Sequence, residues 1–179
     1  MALFGRDVPA EIRSRLRRGE RVLAHASVAA APGGTPLPYD GPPLLVATTR
    51  ALYLPDGRDV LWQNIDQARW GTETFTFVEE GHGEHIIRLR SEETGDAVDY
   101  RRMAEAVSER VTSTILVNRF VPFPSPDSTR GFRLVARRPP LGGEIDWRVH
   151  LGEGLDPEDP ELSEAVSRAL SLLREQMGV

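Results

Sequence analysis

Apolar positions change their period several times along this chain, and each change marks an element. Val8, Ile12 and Leu16 fall at i, i+4 and i+8, with Asp7 and Pro9 as cap and first-turn residue. That spacing predicts a short amphipathic helix ending before Gly19. Arg21 to Ala30 reads as a first strand, followed by a Pro/Gly-rich loop from Ala31 to Pro43. Leu44 to Thr49 and Ala51 to Pro55 make a pair of strands, and Asp56-Gly57 supplies a hairpin turn before Val60, Leu61 and Trp62. Gln67 to Trp70, Thr72 to Glu79 and His85 to Arg90 continue the series, separated by Gly71 and by Gly81-His82-Gly83. A run of short strands without a long helix between them predicts a meander that curls into a barrel or sandwich, because open sheet edges are a liability.

After a turn at Glu92 to Asp96 the period lengthens. Tyr100, Met103, Ala104, Val107, Val111, Thr114 and Ile115 share one face at helical spacing, which predicts a helix that covers the barrel. Val121 to Arg130, with three prolines, reads as an extended linker. Gly131 to Arg138 and Glu144 to Leu151 then read as a β-hairpin with Trp147 available for packing. Asp159-Pro160 opens a second helix, whose Leu162, Val166, Ala169, Leu170, Leu173 and Met177 form an apolar stripe. The expected organisation is an N-terminal helical arm at 1–20, a β-rich domain with its closing helix at 21–118, and a linker, hairpin and helix at 119–179.

Composition narrows the chemistry. The 179 residues carry 22 basic side chains, all of them Arg, and no Cys. Without Lys there is no Schiff-base amine, pyridoxal-phosphate anchor or phosphate-loop lysine. Without Cys there is no thiol nucleophile, disulfide, iron–sulfur cluster or cysteine-type zinc site. A net charge of −5 argues against a general nucleic-acid binder, whose affinity rests on neutralising phosphates. The first twenty-one residues contain no apolar signal-peptide core and later apolar runs are too short to span a bilayer, so a cytoplasmic location is expected by default.

One stretch carries a resemblance. The run Leu44-Leu45-Val46-Ala47-Thr48-Thr49-Arg50-Ala51-Leu52-Tyr53-Leu54 resembles the strand-turn-strand signature of bacterial pleckstrin-homology-like domains, in which an apolar strand ends in Thr-x-Arg and another begins at once. Val60-Leu61-Trp62-Gln63-Asn64-Ile65 is similar to that family's apolar-aromatic segment before the next strand. The resemblance covers residues 21–118. It implies an α+β fold: a curved antiparallel β-barrel or sandwich capped by a helix, here extended by a C-terminal β-hairpin and amphipathic helix. Phosphoinositide-binding members of the wider superfamily place basic residues around the first hairpin. The corresponding loop, Ala31 to Pro43, has none and includes Asp40, which argues against a phosphoinositide ligand.

Candidate chemistry elsewhere reads as structure. His82-Gly-Glu-His85, with Glu79 and Glu80 upstream, offers metal-ligand types, but across a Gly-flanked turn rather than at helical His-Glu-x-x-His spacing. His25 and His150 fall singly in strands. Ser125, Ser128 and Thr129 lie in the Pro-rich segment without a Gly-x-Ser-x-Gly elbow. Gly33-Gly34 and Gly142-Gly143 lack nucleotide-binding spacing. The acidic run Glu153 to Glu164 is broken by Pro157 and Pro160 and fits a helix N-terminus better than a calcium loop. No catalytic residue, metal site or cofactor is assigned.

The expectation is therefore a non-enzymatic binding or scaffold protein acting through protein contacts or self-association. Its interaction-surface candidates are Arg13 and Arg17 on the first helix, and Phe120, Phe123 and Trp147 in the C-terminal third. One alternative is an enzyme whose site is assembled from scattered Arg, His and carboxylates. Another is a peripheral protein touching a membrane surface through the short basic helix.

Overall fold

In the computed structural model, which describes residues 8–30, 37, 40–90 and 99–178, the run Leu44–Thr48 forms a strand buried at all five positions. A strand with one wet face alternates; this one does not, because both of its faces are covered. It is β2 of a four-stranded antiparallel sheet with β1 (Val22–Ser27), β3 (Ala51–Tyr53) and β4 (Asp59–Leu61), in the order β1-β2-β3-β4. The register Ala24↔Ala47 and Leu52↔Val60 puts these four residues on the face that packs into the main core. The register Val46↔Tyr53 puts that pair on the other face, over α1 (Ala10–Arg15).

α1 carries no side-chain cap and is only six residues long, too short to persist by itself in water. Docking holds it. Val8 and Ile12 are buried against Leu44, Val46, Ala51 and Tyr53, at about 1.5–3 kcal/mol for each fully buried aliphatic side chain. The apolar stripe that a membrane contact would need is thus already occupied by the sheet. Asp7, read as part of this helix's cap, lies outside the described residues. So do residues 31–36 and 38–39 of the Pro/Gly-rich loop and the turn read at 92–96.

A 3-10 turn, Trp62–Asn64, leads into a second antiparallel sheet of β5 (Ile65–Trp70), β6 (Thr74–Glu79) and β7 (Gly83–Arg88), in the order β5-β6-β7. Its Phe75 and Phe77 meet Leu45, Leu52 and Trp62 in the main core, and the helix α2 (Arg101–Ser113) adds Met103, Val107 and Val111 at four-residue spacing. A stack of Trp70 on Phe75, with centroids 4.2 Å apart, continues to Phe77 and His85. Barrel closure, which the strand series predicted, is absent among the described residues. The sheets remain separate ladders, and among the described residues the tail of β1 meets β7 through one backbone bond, from the Ala29 N–H to the Arg88 carbonyl.

Contacts divide the chain into two compact units, Met1–Thr114 with Pro139–Gly143, and Ile115–Arg138 with Glu144–Val179. The second unit is a three-stranded antiparallel sheet, β10-β9-β8, with one helix. Its strands are β8 (Ile115–Pro122), β9 (Gly131–Arg137) and β10 (Asp146–Leu151), and the helix is α3 (Pro160–Met177). The linker read at 121–130 is replaced by the end of β8 and a hairpin loop. Pro122 is tolerated because it is the last pair of the ladder, opposite Gly131, and the Phe123 N–H returns to the Arg130 carbonyl at 2.9 Å. Ile115, read as the end of α2, begins β8 instead.

α3 starts where its sequence says it should. The Asp159 carboxylate accepts the Glu161 N–H at 2.9 Å, Pro160 occupies the first turn, and Gly178 ends the helix at φ 71°. Its Leu162 and Leu173 close a core with Phe123, Phe132 and Leu134. Two glycines let this unit's strand ends approach. A Cβ on Gly131 would lie 2.1 Å from the Val121 carbonyl oxygen, and one on Gly152 would lie 2.4 Å from that of Gly131. The obstacle in both cases is backbone, which cannot rotate away. Gly152→Ala should therefore cost about 1–3 kcal/mol, read as a lowered urea midpoint of the intact chain, whereas Gly81→Ala, with nothing within 4 Å but φ at +74°, should cost about 1 kcal/mol.

Candidate functional site

A concavity of the first unit forms between its two sheets. At the end of β1 the Val28 N–H donates to the Pro43 carbonyl at 2.9 Å and the Ala29 N–H to that of Arg88 at 3.0 Å, which fixes this tail beside β7. Facing it is the β3–β4 hairpin. The Leu54 N–H donates to the Arg58 carbonyl at 2.8 Å, and Gly57, at φ 88°, donates back to the Leu54 carbonyl at 3.0 Å. The Asp56 carboxylate accepts the Arg58 backbone N–H at 3.0 Å and its guanidinium at 2.9 Å, so both charges on this rim are paired. Between tail, hairpin and β7 lies a cleft of about 760 Å³. Ala29, Pro43, Leu54, Pro55 and Ile87 make its walls apolar, and His85 and Arg88 add polarity along the β7 side.

Of His25, His85 and His150, only His85 lines the cleft. Its Nε2 sits 2.8 Å from Glu79 Oε2, close enough for an ion pair but outside hydrogen-bond alignment, and its ring stacks on Phe77. His82 Nδ1 lies 3.6 Å from Glu79 Oε1, but the nitrogens of His82 and His85 do not converge with that carboxylate into a three-ligand set.

A second polar constellation sits on the α1 side of the four-stranded sheet. The Glu20 side chain is 1% exposed, and its carboxylate accepts the Thr48 hydroxyl at 2.5 Å, the Arg17 N–H at 2.9 Å and the Arg50 guanidinium at 3.1 Å. Arg50 continues to Tyr53 Oη at 3.1 Å and Asp59 at 2.6 Å, and Arg15 approaches Asp59 at 3.5 Å. The Thr48 hydroxyl also accepts the Ala51 N–H at 3.0 Å, and its carbonyl receives the Trp62 indole N–H at 2.9 Å. Burial pushes the Glu20 carboxyl up, but the bonds from Thr48, Arg17 and Arg50 outweigh it and hold the group below the usual carboxylate range. Burial raises Tyr53 and the adjacent Glu20 charge adds to this, while Arg50 opposes it. Every charge in this cluster has a partner, so it acts as a clasp between the chain before β1 and the turn between β2 and β3.

The interaction-surface residues read from sequence scatter. Arg13 and Arg17 are exposed, and Arg17 serves the clasp through its backbone N–H. Phe120 is 42% exposed, with the Arg133 guanidinium 6.0 Å over its ring. Phe123 is buried in the core of the second unit, and Trp147 is half-buried beside that core under Arg174. Leu54, Pro55 and Ile86, which line the cleft, are not among those candidates. For Ile86 a signal existed: adjacent isoleucines on one strand face opposite sides, so either Ile86 or Ile87 had to point outward.

Among the described residues no helix is long and apolar enough to cross a membrane. Comparison with protein-family models, with curated proteins and with solved structures yields no match for this chain.

The clasp has a pH signature. A carboxyl held below its unfolded value stabilises fully above that value, near pH 4.5, and the contribution is lost as pH falls through the lower, folded value. Glu20→Gln should cost about 2–4 kcal/mol at pH 7, where it leaves Arg50 without its buried counter-charge. The gap between the two proteins, followed by urea denaturation, should close as pH falls below 4.5.

Proposed function

We propose that this chain is a non-enzymatic binding module of the pleckstrin-homology-like type, which takes an apolar segment of a protein partner in the cleft beside β7. The fold part of this reading is supported by element order: four strands in one antiparallel sheet, three in the next, then a helix buried along one face. The function part rests on one observation. A cleft of about 760 Å³ with mainly apolar walls is bordered by Ile86, which is 63% exposed. Apolar walls gain by excluding water, and an exposed aliphatic side chain at the rim extends the surface available for burial.

Panning the intact chain against displayed random decapeptides tests the reading. Apolar sequences should be enriched, and their binding should fall at least tenfold, about 1.4 kcal/mol, in Ile86→Asp. The same substitution should leave thermal stability within about 0.5 kcal/mol, as expected at an exposed position. Enrichment of purely polar sequences, or binding indifferent to Ile86→Asp, would overturn it.

A further inference from the structure

The sheet of the second unit ends in two edge strands of unequal character. The Gly152 N–H donates to the Gly131 carbonyl at 2.9 Å. With the register His150↔Arg133, Arg148↔Val135 and Asp146↔Arg137, the even-numbered residues of β10 therefore direct their N–H and C=O groups at β9. Those of Trp147, Val149 and Leu151 point away from it, and they have no backbone partner among the described residues. The chain is described without a break from residue 99 to 178, and neither segment flanking β10 bonds to these groups. The opposite edge, β8, is blunted: its register shifts between Ile115 and Val117, and its outward position Pro122 has no N–H. The β10 ladder runs through six pairs without a shift.

The same three residues carry the apolar side chains of the strand. Trp147, Val149 and Leu151 lie opposite Ala136, Leu134 and Phe132, on the face that α3 covers. Their outer side is bare: Val149 and Leu151 are each 37% exposed, and Trp147 is half-buried. An edge that offers open backbone groups beneath a bare apolar row is a template for another strand. Charge selects the register in which a second copy fits. Two-fold pairing about Arg148 would set that residue against Arg148 of the copy, a like-charge pair, and pairing about His150 would set Trp147 against Glu153. Pairing about Val149 sets Trp147 against Leu151 at both ends and Val149 against itself. On the other face it sets Arg148, already held by its own Asp146 at 2.8 Å, against His150.

We propose that two copies of this chain join through β10, antiparallel about a two-fold axis at Val149, to give one continuous six-stranded sheet with both α3 helices on the same side. Trp147, Val149 and Leu151 each exchange both bonds with the residue opposite, so every open N–H and C=O at these positions is satisfied. The apolar row of one copy packs on that of the other and takes Val149 and Leu151 out of water. A two-fold interface requires a surface that complements itself, and this register meets that condition at each position. A contact made by one short strand from each copy is at the small end of specific interfaces, so the dimer should half-form in the range of about 1–100 μM. The edge belongs to the second unit, and the inference stands apart from the cleft of the first.

Sedimentation of the intact chain from about 1 to 500 μM, together with amide exchange of the isotope-labelled chain over the same range, tests this. The mass should rise from monomer to dimer, and exchange at the Trp147, Val149 and Leu151 amides should slow at least tenfold with it. The Arg148 and His150 amides, which face β9, should be protected at every concentration. Val149→Lys and Val149→Glu each place like charges against one another at the axis, so either protein alone should dimerise at least tenfold more weakly. An equimolar mixture of the two should recover a dimer containing one copy of each. A monomer throughout the range overturns the proposal. So does a dimer whose Trp147, Val149 and Leu151 amides exchange as freely as in the monomer, a reading made on the unsubstituted chain and therefore independent of how the variants fold. A dimer that forms with these amides protected, but whose two variants do not recover it on mixing, overturns the register about Val149.

Discussion

A buried carboxylate must be surrounded by donors or it will not stay charged, and Glu20 meets that requirement with three donors drawn from two pieces of chain. Arg17 supplies a backbone N–H, Thr48 a hydroxyl and Arg50 a guanidinium. The segment before β1 is thereby fastened to the turn between β2 and β3. Arg50 then reaches Asp59, so the start of β4 is held to the same point. Since the β3–β4 hairpin forms one wall of the cleft, the position of Leu54 and Pro55 depends on a charge cluster on the opposite face of their sheet. An ion pair of this kind need not add net stability over an apolar substitute, but removing one member leaves its partner stranded.

The elements that could be read from sequence are those whose own period decides them. α2 and α3 carry stripes at helical spacing, and Asp159-Pro160 marks the start of α3 with a cap and a preset φ. The four strands around Thr48-Thr49-Arg50 were also legible, with Thr48 and Arg50 standing out at the turn between two apolar strands. Their physical role was not, because the carboxylate they serve lies 28 residues before Thr48, and no local pattern links positions so far apart. β8 was misread for a related reason. Pro122, Pro124 and Pro126 argue for a linker when taken locally, whereas the ladder to β9 ends at Pro122 and makes that position harmless.

The cleft was invisible for a third reason. It is a gap between ladders, and a strand series that predicts closure predicts no gap. Among the described residues the two sheets share no ladder beyond the bond from Ala29 to Arg88, and apolar residues line the space between them.

The docked helix α1 also covers an apolar surface. Six residues are too few to hold a helix alone, so its order depends on the sheet that receives it. Without it, Leu44, Val46, Ala51 and Tyr53 would be bared together, and bared apolar patches promote association. The segment is thus held in shape by the very surface it keeps from water.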